Sequence, residues 1–148
     1  MPSHIDRRAA MRTGLVLALA PWAGSSRACE FYAPNFTLIH PWTRASRPDA
    51  TSAIVSMKFQ NVTQADRLIG VQTLVADSAE LGGEGAGPQL DFPIPQGQDS
   101  ELAEKGVHLR LLGLKLPLEV ARSYPMTLVF ANAGEVRATL NVDFARFA

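Results

Sequence analysis

The chain of 148 residues is long enough for one domain, and its 14 basic and 14 acidic side chains give a formal net charge of zero. Beyond the first 28 residues these charges are dispersed, without a run of like sign. Such a distribution argues against nucleic acid as a partner, because phosphate recognition needs a clustered basic face.

The first 28 residues have the three-part order of an export signal. Arg7, Arg8 and Arg12 form a basic region, residues 13–23 are mostly apolar, and Ser26-Arg27-Ala28 offers small residues where a signal peptidase reads them. The apolar part is shorter than the ~20 residues that a membrane-spanning helix needs. We therefore predict a signal peptide over residues 1–28 and a periplasmic protein without a membrane span. Its export route stays open, because Arg7-Arg8 also permits a twin-arginine signal.

Cleavage after Ala28 leaves ten basic and thirteen acidic side chains, a net charge of −3, in a mature domain over residues 29–148. Cys29 is the only cysteine and would be the first mature residue. A lipidated cysteine normally follows an apolar residue three places earlier, and Ser26 stands there instead. A free thiol is therefore favoured over a lipid anchor, and no internal disulfide can form.

Alternation of apolar and polar residues with a period of two is the main pattern of the mature chain, and Gly, Pro and Asn separate its segments. It is clearest at residues 52–60 and 136–142. The pattern predicts strands, in chain order, over residues 36–40, 52–60, 67–73, 90–92, 107–112, 126–130 and 136–142. It also indicates a single helical turn near residues 76–81, an irregular Gly- and Pro-rich loop over residues 82–97, and a tight turn at residues 132–134.

Short strands separated by turns predict an all-β fold, an antiparallel β-sandwich. Met57 and Met126 lie on apolar faces, where methionine commonly fills gaps in a core. No nucleophilic serine turn, phosphate loop or His-rich zinc motif is present, so the sequence favours a protein that is not an enzyme. The predicted core comprises Val55, Met57, Phe59, Leu109, Leu111, Leu128, Phe130, Leu140 and Val142.

Four segments give the chain a resemblance to a known family. In order they are His40-Pro41-Trp42-Thr43-Arg44-Ala45, the strand at residues 56–63, Val107-His108, and Gly113-Leu114-Lys115-Leu116-Pro117-Leu118. Together they resemble the periplasmic copper chaperones called PCu(A)C. The resemblance covers about residues 29–142 and implies a cupredoxin-like or immunoglobulin-like Greek-key sandwich. It also implies copper(I) binding and delivery to a periplasmic cuproprotein or an oxidase assembly factor.

The resemblance further implies a set of ligand positions, which this chain fills differently. The family has a His and a Met near the end of one strand, a Met on the next hairpin, and a His-x-Met pair on a later strand. Gly82 stands at the first His position and Glu84 at the first Met position. Of the later pair His108 remains, and Arg110 stands at the Met position. We predict His108 as the one remaining metal ligand and a bidentate Glu84–Arg110 salt bridge in place of the ion.

Three functions stay open on the sequence alone. The first is a copper(I) chaperone, as the resemblance implies. The second is a diverged, metal-free member that works as a protein-binding module. The third is a metal-binding protein with rearranged ligands that recruits Cys29, because soft copper(I) favours thiolate, thioether and imidazole donors.

Overall fold

A computed structural model describes residues 29–145 of the chain. The predicted signal peptide lies outside these residues. The described part contains ten strands and one 3-10 turn at Gly83–Gly85. The strands are β1 (Glu30–Tyr32), β2 (Thr37–Arg44), β3 (Ser52–Gln60), β4 (Asp66–Thr73), β5 (Ser78–Gly82), β6 (Phe92–Ile94), β7 (Ser100–Leu102), β8 (His108–Leu112), β9 (Ser123–Phe130) and β10 (Gly134–Phe144).

The strands form one continuous sheet that folds over itself. Its order is β5-β8-β3-β2-β10-β9-β4-β6, while β1 pairs with β2 and β7 pairs with β3. Every pair is antiparallel except β2–β10, which is parallel. Two parallel strands cannot be joined by a hairpin. Here the chain forms strands β3 to β9, in both halves of the sandwich, before β10 pairs with β2. The predicted β-sandwich is thus confirmed, with one parallel pair that the sequence pattern did not predict.

The two halves of the sandwich enclose a single apolar core. Phe59 on β3 and Phe130 on β9 belong to strands that do not pair, yet their ring centroids lie 6.0 Å apart. Phe36 packs against both rings, at 5.7 Å from Phe59 and 4.7 Å from Phe130. All nine residues of the predicted core are buried, and so is Met126. Both mature methionines therefore lie in the core, as predicted.

Two local predictions were wrong. Residues 76–81 do not form a helical turn, because Ser78–Gly82 is strand β5, paired along its whole length with β8. The loop predicted over residues 82–97 is partly ordered, since it begins in β5, continues into the 3-10 turn and contains β6. The strand predicted over residues 90–92 is found two residues later, as β6 at Phe92–Ile94. β5 does not alternate clearly in sequence, and its extended form comes from pairing with β8 rather than from local preference.

Asp66 fixes the turn between β9 and β10 from the start of β4. Its carboxylate is buried and accepts hydrogen bonds from the backbone N–H groups of Arg67 (2.8 Å), Asn132 (2.8 Å) and Ala133 (2.9 Å), and from Asn35 Nδ2 (3.0 Å). Burial alone raises the pKa of this carboxyl, but the four hydrogen bonds outweigh burial and hold the pKa below its usual value. The turn therefore depends on an ionised Asp66.

Candidate functional site

The β5–β8 pair brings the predicted ligand positions side by side at one edge of the sheet. Gly82 is paired with His108, and Glu80 with Arg110. Leu109 and Leu111 of β8 point into the core and are fully buried, so His108 and Arg110 lie on the outer face. The alternation predicted for this strand is confirmed. The sheet register also places Gly82, which stands at the family's first His position, beside His108.

The imidazole of His108 has a defined orientation. Its Nδ1 lies 3.0 Å from the carbonyl oxygen of Gly106. A carbonyl oxygen can only accept, so Nδ1 carries the proton, and Nε2 of the neutral ring keeps a lone pair. A β-carbon placed on Gly82 would lie 2.2 Å from Nε2. The His108 ring therefore occupies the space that a side chain at residue 82 would need.

The glycines that follow continue this close packing. Gly83 has a φ of +77°, and a β-carbon there would lie 2.3 Å from the carbonyl oxygen of Gly106. A β-carbon on Gly85 would lie 2.7 Å from Cγ1 of Val107. The backbone of residues 82–85 thus lies directly on residues 106–108, which only glycine permits at these contacts. Sequence reasoning took this segment for the start of an irregular loop, although three glycines in four residues were a signal of close backbone approach.

Arg110 is paired with a different carboxylate from the one predicted. Its Nε and Nη2 donate to Oε1 of Glu80 at 3.0 and 2.6 Å. Glu84 lies beyond the end of β5 in the exposed 3-10 turn. The predicted Glu84–Arg110 pair is therefore wrong, because Glu80 is the cross-strand partner of Arg110 and lies directly beside it. Both Arg110 nitrogens donate to the same oxygen of Glu80. The salt bridge is therefore not bidentate, although a bidentate one was predicted.

The other soft donors of the described chain lie elsewhere. Met57 and Met126 are 1% and 2% exposed in the core. Cys29 is exposed and lies beside β2, where its carbonyl oxygen accepts a hydrogen bond from the His40 N–H at 2.7 Å. Nε2 of His40 itself contacts the carboxylate of Asp143. Within residues 29–145 no three His, Cys, Asp or Glu side chains converge as a metal-binding group.

The comparison with protein families identifies the relatives of this sandwich. A family model described as "Putative lipoprotein LpqE-like" matches residues 36–142. The chain belongs to this family, and its domain is of the PCuAC type. The predicted family is thereby confirmed. No curated protein matches the chain. Among residues 29–145, the structure contains no helix with the length and apolar character for crossing a membrane.

Solved structures agree with this assignment. The copper-bound PCuAC domain of PmoF2 is 28% identical, with a TM-score of 0.71 over 78% of this chain and 97% of that domain. The apo PCuAC domain of PmoF1 is 29% identical, with a TM-score of 0.71 over 78% of this chain and 98% of that domain. The copper(I) form of DR1885 from Deinococcus radiodurans is 24% identical, with a TM-score of 0.62 over 82% of this chain and 83% of that one, and shows the fold alone.

Proposed function

We propose that this protein is an exported PCuAC-type domain that works as a metal-independent, non-enzymatic protein-binding module. The observation that carries the proposal is the β5–β8 edge. Three of the positions where the family has ligands hold Gly82, Glu84 and Arg110, and the His108 ring lies against the backbone of Gly82. Copper(I) is held well when three or four soft donors converge, and here one imidazole nitrogen is available.

Electrostatics support the same proposal. The guanidinium of Arg110 lies two residues from His108 on the same face of β8 and stays charged at any physiological pH. A unit positive charge ~4 Å from an incoming cation costs up to about 4 kcal/mol at an effective dielectric of ~20. The Arg110 side chain is 43% exposed and is paired with Glu80, so solvent and the carboxylate reduce this repulsion to a fraction of that figure. The repulsion that remains acts against copper(I) binding at His108.

A second candidate function is a transient copper(I) contact, and the orientation of His108 favours it. The Nδ1–H bond to the Gly106 carbonyl is the arrangement in which metal-binding histidines are usually held, with the other nitrogen free to ligate. In this case a partner protein would supply the remaining donors. The copper-bound relatives make copper(I) the metal to test first.

The predicted export belongs to the proposal as well. We expect cleavage after Ala28 and release of the domain into the periplasm, because residues 1–28 carry the order of a signal peptide. N-terminal mass spectrometry of protein from the envelope fraction should find Cys29 as the first residue. Recovery of the chain in the cytoplasm with Met1 intact would contradict this part of the proposal.

Thermal unfolding with and without copper(I) tests metal independence. A ligand at 100 times its Kd stabilises the folded state by about 2.7 kcal/mol, so tight binding raises the midpoint strongly. We expect no rise for the wild type under anaerobic conditions with excess copper(I). The variant Arg110→Met, which restores a thioether and removes a charge, should show a measurable rise. A large rise for the wild type that His108→Ala abolishes would refute the proposal and favour the copper contact.

Further ligands can be restored in steps, with one steric limit. Glu84→Met adds a thioether in the exposed turn, where space is open, and should strengthen copper(I) binding by Arg110→Met. Gly82→His must first displace the His108 ring, since its β-carbon would lie 2.2 Å from Nε2. We therefore expect Glu84→Met to help more than Gly82→His when each is added to Arg110→Met. The reverse order would show that His108 turns away easily.

A further inference from the structure

We propose that the outer face of β2 and β3 is a binding groove for an extended acidic peptide segment of a partner protein. This inference rests on the proposed protein-binding function and names the chemistry of its partner. The groove consists of two adjoining clefts of about 520 and 530 Å³ that share Glu104 as a common wall. Clefts of this size accommodate ligands in other proteins.

The groove is basic although the mature chain is acidic. Its basic residues are Arg44, Arg47, Lys58, Lys105 and Arg110, five of the ten basic residues that follow Ala28. Its acidic residues are Glu101 and Glu104, two of thirteen. With Asp49 and Glu80, which pair with Arg47 and Arg110, the face carries five basic and four acidic side chains. This small positive excess in a chain of net charge −3 attracts a negatively charged partner.

One guanidinium of the groove is rigidly held. Arg44 lies over the rings of Trp42 and Phe144, with its Cζ 5.8 and 5.2 Å from the ring centroids. Those two rings contact each other edge to face at 5.0 Å. Glu104 accepts from Arg44 Nε at 2.7 Å and from Nη2 at 3.4 Å. An arginine held by stacking and an ion pair loses little further freedom when a ligand arrives.

The other two arginines of the first cleft are held more loosely. The Arg47–Asp49 pair is long, at 3.5 Å, and both side chains are mostly exposed. The Arg110–Glu80 pair is about 40% exposed. Exposed ion pairs of this kind contribute little to stability, so a carboxylate of a ligand can replace the internal one.

Buried polar atoms in the second cleft indicate a peptide rather than a simple anion. Ser56 is 4% exposed, and its hydroxyl has no hydrogen-bond partner among the described residues. Nδ1 of His40 is also buried without such a partner, and both residues line the cleft. A peptide brings N–H and C=O groups along with its carboxylates, and it can pair with both atoms when the side chains that cover them move aside.

Fluorescence anisotropy with a labelled peptide of alternating glutamate and alanine tests this groove in the mature protein. The comparison peptide has glutamine in place of each glutamate. The groove variant is Arg47→Gln/Lys58→Gln, which removes one exposed positive charge from each cleft. Neither residue stands at a position where the family has a copper ligand. The matched control is Arg122→Gln/Arg137→Gln, which removes the same charge from exposed positions outside the groove.

We expect the acidic peptide to bind, with an affinity that falls as salt is added, and the glutamine peptide to bind at least about tenfold more weakly. The groove variant should weaken binding about fivefold or more, and the control less than about twofold. Equal loss in both variants would show non-specific charge attraction and overturn the proposal, as would no binding of the acidic peptide. Copper(I) binding measured on the same samples separates this failure from failure of metal independence, since neither variant alters His108 or Arg110.

Discussion

The contact between Gly83 and the backbone of Gly106 makes a quantitative prediction. At a φ of +77° a residue with a β-carbon is strained by about 1–2 kcal/mol. That β-carbon would also lie 2.3 Å from the Gly106 carbonyl oxygen, a backbone atom that cannot turn away as a side chain can. Overpacking of this kind typically costs about 1–3 kcal/mol. Alanine also reduces the conformational entropy of the unfolded chain, which stabilises the folded state by about 0.4–1 kcal/mol. We therefore expect Gly83→Ala to lower the free energy of unfolding by about 1–5 kcal/mol.

Gly87→Ala is the matched control for this substitution. A β-carbon on Gly87 meets no atom within 4 Å, and its backbone is not in the left-handed region. Its free energy of unfolding should stay within about 0.5 kcal/mol of the wild type or rise slightly. Urea unfolding followed by circular dichroism measures both variants. Equal stability of Gly83→Ala and Gly87→Ala would refute the close packing of residues 82–85 on residues 106–108.

Two further predictions concern the core and the β9–β10 turn. Leu140→Ala should lower the free energy of unfolding by about 2–5 kcal/mol, because Leu140 is fully buried. Val120→Ala, at a half-exposed site, should change it little. An unchanged urea midpoint for Leu140→Ala would count against the assigned core. Because the folded-state pKa of Asp66 is depressed, its contribution to stability is complete above the unfolded value of about 3.8 and is lost as the pH falls through the lower folded value. Asp66→Asn should therefore be less stable than the wild type near neutral pH. The urea midpoints of the two proteins should approach each other as the pH is lowered. A difference between the midpoints that does not depend on pH would contradict the role of the ionised carboxylate.

Much of the sandwich could be predicted from sequence because its long strands are covered on one face only. The alternation at residues 52–60 and 136–142 directly reflects one buried and one exposed face, and the structure confirms β3 and β10 there. The short strands could not be predicted in the same way. In β5 only Leu81 and Gly82 are buried, so its sequence shows no period, and its extended form depends on pairing with β8.

The candidate site shows a similar division. The shared outer face of His108 and Arg110 could be predicted from the alternation in sequence, because the apolar Leu109 and Leu111 occupy the alternate positions of the strand. The partner of Arg110 does not follow from sequence. Glu80 and Glu84 are four residues apart, and only the β5–β8 register decides that Glu80 lies beside the guanidinium. The groove on β2 and β3 was also missed, because its basic residues are scattered in sequence and meet only in the folded sheet.

Competition for copper(I) between the mature protein and a chromogenic chelator tests the central claim most directly. The titration is done anaerobically, with the Cys29→Ser variant beside the wild type to exclude the exposed thiol. We predict that the chelator removes copper(I) from both proteins at stoichiometric amounts, because His108 supplies a single donor beside the charge of Arg110. Retention of one copper(I) per chain against excess chelator, with its loss in His108→Ala, would contradict metal independence and assign the domain a working copper site.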